Sequence, residues 1–479
     1  MPVTLSKPAD QVDITSGEYD ILLGNLQANI LWAHGRDFAR HLFIQFTGDG
    51  ESARTWIRET IGPTVTTARE QLDQIITREG KRDFNGGLVT GFFLSAEGYK
   101  RIGLDTERFE SVYRRGMKSQ RTNIGEAIKG SRNKDPKVAT WEAPFQETIH
   151  ALVTVADTTE GVAETAAGNI AASLAGVGVV LTVEEGTVLR RKTVDNACEP
   201  VEHFGYFDGI SNPLFTKRDL DKDRPENKKR AEWDPGAPLS LVLADDPHSN
   251  ETDAYGSYLV YRKLSQNVME FNERVMALAS AMNMNPDLAG AMVVGRFKDG
   301  TPVLRADVPS PGQEVANDFN FKEDRDGFKC PFHAHIRKVN PRGTTPLTSS
   351  ESERKRRIVR RGIPYGLPMP GVADPMPSDP DPMAPRGLLF MCFQQDIDRQ
   401  FEFIQRTWVD SVIFPKGILL QSDTGDDPLI GQDPDEAQRW PKSWGDAEAG
   451  RKAFNFESAV TLKGGEYLFA PSIPFLRAI

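Results

Sequence analysis

The chain has 479 residues, 39% of them apolar, enough for a large buried core and for two or three domains rather than one. Its 58 Lys plus Arg stand against 68 Asp plus Glu, a net charge of -10, and a surface of that sign repels phosphate backbones and anionic lipid, which excludes nucleic acid as an expected partner. No window approaches the ~20 apolar residues of a membrane span, the N-terminus has no signal-like apolar stretch, and Cys198, Cys330 and Cys392 form no paired motif, so a cytoplasmic protein without a membrane partner is expected.

HLFIQF (41–46) alternates like a strand, and GESARTWIRETIG followed by TVTTAREQLDQII has helical apolar spacing. Two further strands are predicted at 87–94, leading into the short helix SAEGYKRIG, and at TIHALVTVA (148–156). TEGVAETAAGNIAASLAG then reads as a helix and VGVVLTVEE as a last strand. The order β-α-β-β-α-β is that of the ferredoxin-like unit, two helices on one face of a four-stranded antiparallel sheet. A looser copy follows, with GSYLVYRKL (256–264) as strand and NVMEFNERVMALASAM (267–282) as helix. RRIVRRG (356–362) and GLLFMCF (387–393) are its middle strands, DIDRQFEFIQRTW (396–408) its second helix and GEYLFAP (465–471) its closing strand. The expected fold is therefore α+β, two ferredoxin-like units over 1–200 and 201–479, joined in the turn-rich stretch from 185 to 255. Three segments in the second half, 217–238, 363–387 and 422–440, are too polar for core and read as long loops.

Three short stretches concentrate the chemistry. In CPFHAHIRKVNPR (330–342), Cys330, His333 and His335 fall within six residues, yet no second ligand pair completes a structural zinc site. Histidines satisfied inside a core are the ordinary alternative. Arg337, Lys338 and Arg342 favour a third reading, in which one imidazole meets haem iron and cations meet the propionates. HFGYFDGISNP (203–213) sets Asp208 on a tight Gly-x-x-Asp-Gly turn, a position equally suited to capping a helix. RRIVRRG reads as a strand that sends arginines to both faces, where a buried guanidinium calls for an anionic partner.

Together these stretches resemble the dye-decolourising peroxidase family of haem enzymes, in its longer bacterial and fungal branch. The resemblance covers most of the chain: GNLQANILWAHGRDFARHLFIQF (24–46), FFLSAEGYKRIGL, GYFDGISNP, the His-x-Arg-Lys-x-Asn-Pro-Arg run, IVRRGIPYG and LLFMCFQQDIDRQFEFIQRTW follow one another in the family's order. Ala28 stands where the family has glycine, and His333 where it has a small residue.

The resemblance implies one haem b per chain, held mainly by the C-terminal unit, with His335 as axial iron ligand and Arg342 on a propionate. It implies Asp208 as distal acid-base residue, Arg360 as distal arginine, and Asp396 as the carboxylate behind the axial imidazole. The activity it implies is reduction of hydrogen peroxide to water, paired with oxidation of organic donors such as dyes and phenolics. Bulky donors would react at the haem edge or at a surface aromatic, with Trp233, Trp408, Tyr365 and Tyr467 as candidates. A haem carrier or iron-release protein of the same fold is the alternative, but a carrier has no use for Asp208 beside Arg360.

Overall fold

The computed structural model describes residues 2–78, 86–120, 141–194, 198–223, 232–312, 316–346, 348–374, 381–415, 424–432 and 437–479; parts of the three long loops lie outside them. The first half supplies strands β1 (Phe38–Phe46), β2 (Val89–Leu94), β3 (Ala151–Asp157) and β4 (Gly178–Thr187), followed by the hairpin β5 (Leu189–Lys192) and β6 (Cys198–Val201). The second supplies β7 (Ala244–Asp245), β8 (Tyr255–Gln266), β9 (Val359–Arg360), β10 (Ile363–Tyr365), β11 (Gly387–Gln394), the hairpin β12 (Gln438–Pro441) and β13 (Arg451–Phe454), and β14 (Val460–Ala470).

The main sheet runs β10-β11-β8-β14-β2-β3-β1-β4, with β9 also on β11. Its halves have the same internal order: first and third strands central, second and fourth at the edges, the arrangement of a ferredoxin-like unit. The two sheets join at one residue pair, Phe469 opposite Leu94. At the opposite edges β4 lies against β10, so closely that a Cβ on Gly186 would fall 2.5 Å from Ile363 Cγ2.

Between the sheets lies a shared core, where Phe93 meets Phe393 and Phe43 meets Tyr261. That covering, with helix Glu160–Ser173 on the outer face, explains why β1 is buried along most of its length instead of alternating. In the second half, helix Val268–Met282 is started by the Asn267 side chain, which accepts the Glu270 N–H, and stopped by Asn283 in the left-handed region. Helix Pro286–Val294 follows, and both pack with Phe319, Cys330 and Trp440 in a second core.

Two elements depart from expectation. RRIVRRG is extended and paired only at Val359–Arg360, because its arginines diverge. Arg356 reaches the Arg399 carbonyl, Arg357 those of Pro235 and Gly236, and Arg361 those of Asn29 and Ile30 in the first half. The buried Arg357 and Arg361 thus need no anion: carbonyl oxygens occupy their donors, and burial lowers both pKa values to about 9. The expected helix at 396–408 forms, but over Asp398–Glu402 and Ile404–Val409 it widens into i→i+5 turns.

Candidate active site

His335 opens the short helix His335–Val339, which packs on Trp408 and Val409 of the widened helix through Val339. The preceding loop is wrapped around the buried Asp324, whose carboxylate accepts the N–H groups of Phe328, Lys329 and Cys330. Arg337 closes that loop from the helix, donating to Asp324 Oδ2 at 2.9 Å between the rings of Phe321 and Phe332. Lys338 is buried too, with Nζ on the carbonyls of Ser411 (2.5 Å) and Phe414 (2.9 Å), and burial lowers its pKa to about 7. Neither cation is available to an external anion.

His335 Nδ1 lies 2.8 Å from Oδ2 of Asp427. Asp427 is itself fixed, since its Oδ1 accepts the N–H groups of Leu429 and Ile430 and its side chain is fully buried. An ionised carboxylate only accepts, so Nδ1 carries the proton and Nε2 presents its lone pair. His333 is placed otherwise: buried, Nδ1 on the Thr424 carbonyl at 2.9 Å, its ring 4.2 Å from that of Trp440. Burial holds its pKa down at about 3.

Asp208 follows the bridge between Val201 and Phe207, and Gly209 after it takes a φ of +79° that favours glycine. The half-buried Glu202 organises the approach, accepting the N–H groups of Phe204 and Tyr206. Asp208 caps no helix. Its Oδ1 accepts the Gly209 N–H at 2.6 Å and stands 4.0 Å from Arg360 Nη1. Arg360 is held from behind, its N–H on Asn212 Oδ1 and its Nη2 on the Ile210 carbonyl, so one turn fixes both members of the pair.

Arg342 links the two ends of the site. Its Nη2 donates to Ser211 Oγ in the Asp208 turn and to Asn317 Oδ1, its Nη1 to the Asn317 and Phe319 carbonyls, and the guanidinium stacks 3.9 Å over Phe319. Among all these polar groups the three expected to meet ligand keep open surface, with 26%, 29% and 38% of the His335, Asp208 and Arg360 side chains exposed.

Asp396 is not the carboxylate behind His335; that place belongs to Asp427. Asp396 begins the widened helix, where it accepts the Arg399 N–H, and lies beside Glu110, whose oxygens take the N–H groups of Ile397 and Asp398. Burial, then the charge of Asp396, pushes Glu110 up to about 8 from an ordinary 4.5. The native state therefore holds a proton that the unfolded chain releases, and stability falls as pH rises from about 4.5 to about 8. Thermal melting across that window is expected to drop with pH, and the drop to flatten in Glu110→Gln; an unaltered slope in the variant would refute this assignment.

The four aromatic candidates are not on the surface. Trp233 is buried beneath Arg342, Arg354 and Arg357, Trp408 is stacked on Phe414, Tyr365 lies under Lys263, and Tyr467 is fully enclosed.

An imidazole held by a buried carboxylate and a separate carboxylate-guanidinium pair, carried by a doubled ferredoxin-like fold, point to a haem peroxidase. The family model "Dyp-type peroxidase, C-terminal" matches residues 202–413. The multifunctional dye peroxidase DyP2 of Amycolatopsis sp. is 37% identical over 486 residues, covering 100% of both chains, and the dye-decolorizing peroxidase msp1 of Mycetinis scorodonius is 31% identical over 80% of this chain and 75% of its own. The crystal structure of an Anabaena sp. DyP-type peroxidase superposes with a TM-score of 0.88 at 40% identity, over 99% of this chain and 98% of that one. The chain belongs to the Dyp-type peroxidase family. It is a haem-dependent peroxidase that uses hydrogen peroxide to oxidise dyes, and the carrier alternative is not favoured. Among the described residues no helix is long and apolar enough to cross a membrane.

Proposed function

We propose that His335 Nε2 would hold the iron of one haem b per chain, within 201–479, and that Asp208 and Arg360 would carry the peroxide chemistry. The site fits such a group: the imidazole has its lone pair set by Asp427, and open surface remains on all three side chains. When bound, the haem supplies a ferric centre that binds peroxide and stores the oxidising equivalents of O–O cleavage.

The protein's part is proton handling and charge placement. Asp208 takes a proton from hydrogen peroxide and returns it to the departing oxygen, one carboxylate serving as base and then as acid. Gly209 occupies Oδ1, so Oδ2 performs the transfer. Arg360, held by Asn212 and Ile210, needs no reorganisation to stabilise the negative charge on the departing oxygen. Asp427 fixes the orientation of His335 and keeps its tautomer. Arg342 is the propionate partner: a propionate would replace the Ser211 and Asn317 side chains at Nη2, an exchange of side-chain acceptors that leaves the backbone in place. Organic donors are oxidised at the haem edge. From its three widely spaced, free cysteines we read the chain as cytoplasmic, and its net charge of -10 argues against a nucleic acid or anionic membrane partner.

The observation that carries this reading is the pairing of Asp208 with Arg360, which binding alone does not require. Ligand assignment is tested by two variants. His335→Ala should purify without a Soret band, whereas His333→Ala should keep it and lose about 1–3 kcal/mol of stability from the vacated core. The opposite pattern of haem retention would make His333 the ligand.

A further inference from the structure

Tyr467 donates its O–H to Glu402 Oε1 at 2.8 Å, and both side chains are fully buried. A buried tyrosine hydroxyl usually finds some partner, and Tyr113, for instance, uses the Leu94 carbonyl. A carbonyl cannot keep a proton, but a carboxylate can. Glu402 is lightly engaged as a base: its Oε2 has no hydrogen-bond partner, and Arg406 Nη1 stands 3.7 Å from it, beyond hydrogen-bond reach. Burial raises its pKa to about 7, which strengthens it as a proton acceptor.

Position matters as much as pairing. Strand register sets Arg360 opposite Cys392, Cys392 opposite Val260, and Val260 opposite Tyr467. Directly opposed residues share a sheet face, so Tyr467 lies on the face of Arg360, three strand spacings or about 14 Å along one row. Tyr261 belongs to the other face, bonded to His41 and packed on Phe43 between the two sheets. The i→i+5 widening of the helix, seen in the bond from the Glu402 N–H to the Ile397 carbonyl, is where Glu402 meets Tyr467.

We propose that Tyr467 and Glu402 form a proton-coupled redox site of the peroxidase, a relay for oxidising equivalents inside the protein; this rests on the peroxidase reading above. Tyr467 loses one electron to the haem that peroxide has oxidised, while its O–H bond breaks and the proton forms an O–H bond on Glu402 Oε1. The products are a neutral phenoxyl, a protonated Glu402 and a haem reduced by one electron. An organic donor then returns one electron to the phenoxyl and the proton goes back from Glu402, which restores the starting pair. Because the proton stays in the pair as the electron leaves, the pair passes from a single negative charge to neutral and no phenol cation forms in the buried site.

Holoenzyme frozen after one equivalent of hydrogen peroxide, with no donor present, tests this by electron paramagnetic resonance. A tyrosyl signal that narrows with ring- and β-deuterated tyrosine is expected. It should weaken at least tenfold in Tyr467→Phe and fall in Glu402→Gln, whose amide accepts no proton, and remain in Tyr261→Phe. Replacing Tyr467 by 3-fluorotyrosine, which preserves the fold, should split the signal. A signal indifferent to both changes at 467, or none at all although peroxide alters the Soret band, overturns the relay and spares the peroxidase reading. A Soret band indifferent to peroxide overturns both.

Discussion

Asp208→Asn is expected to keep its haem and to react with hydrogen peroxide about 10²–10⁴-fold more slowly, the range attributable to a positioned acid-base group. Asparagine is nearly isosteric, and its oxygen can still accept the Gly209 N–H that Oδ1 accepts at 2.6 Å, so the turn should stand. What disappears is a group able to take a proton and give it back. Arg360 is held by Asn212 and Ile210 independently of Asp208, so charge stabilisation should survive, and Arg360→Leu should add a separate loss. Stopped-flow absorbance under excess peroxide measures the rate. An unchanged rate in Asp208→Asn would transfer the proton to water or to Arg360.

Asp427→Asn is expected to loosen the haem or slow the peroxide reaction about 10–100-fold, as loss of the group behind a metal-bound histidine commonly does. The physical reason is a mismatch of donors. Asp427 accepts from two sides, the N–H groups of Leu429 and Ile430 on Oδ1 and His335 Nδ1 on Oδ2. Asparagine has one oxygen. If that oxygen stays with the backbone, its NH₂ faces His335 Nδ1, and the imidazole must move its proton to Nε2, where it blocks the lone pair that iron needs. Competition for haem with apomyoglobin reads the affinity directly. Asp396→Asn is the control, expected to leave haem affinity unchanged, since Asp396 touches Arg399 and the Glu110 environment instead.

The residues legible in the sequence were those in compact motifs. His335 precedes Ile-Arg-Lys, Asp208 sits in a glycine-flanked turn and Arg360 in a basic run, and each motif also constrains its own backbone. Asp427 was not legible, because it lies 92 residues from His335 in SDTGDDPLIGQDPDEAQRW, whose acidity reads as surface. In the fold Asp426 and Asp427 are buried, one bonded to Gln438 and the other to His335. A carboxylate followed by the apolar Pro-Leu-Ile was the available signal, since charges seldom border buried residues without a partner. The arginines misled for a related reason: Arg357 and Arg361 are buried on carbonyls, and carbonyls have no signature in composition. Strand order within each half followed from the β-α-β-β-α-β pattern. The strand pairing that joins the two sheets did not, because it consists of a single pair, Phe469 with Leu94, and no periodicity marks so short a contact.

The most direct measurement is the absorption spectrum of the purified holoprotein before and after one equivalent of hydrogen peroxide, then again after a dye is added. The site assembled from His335, Asp427, Asp208 and Arg360 predicts a Soret band that changes on peroxide and returns as the dye is bleached. A Soret band that stays constant through both additions would contradict it, leaving a protein that binds haem and performs no peroxide chemistry.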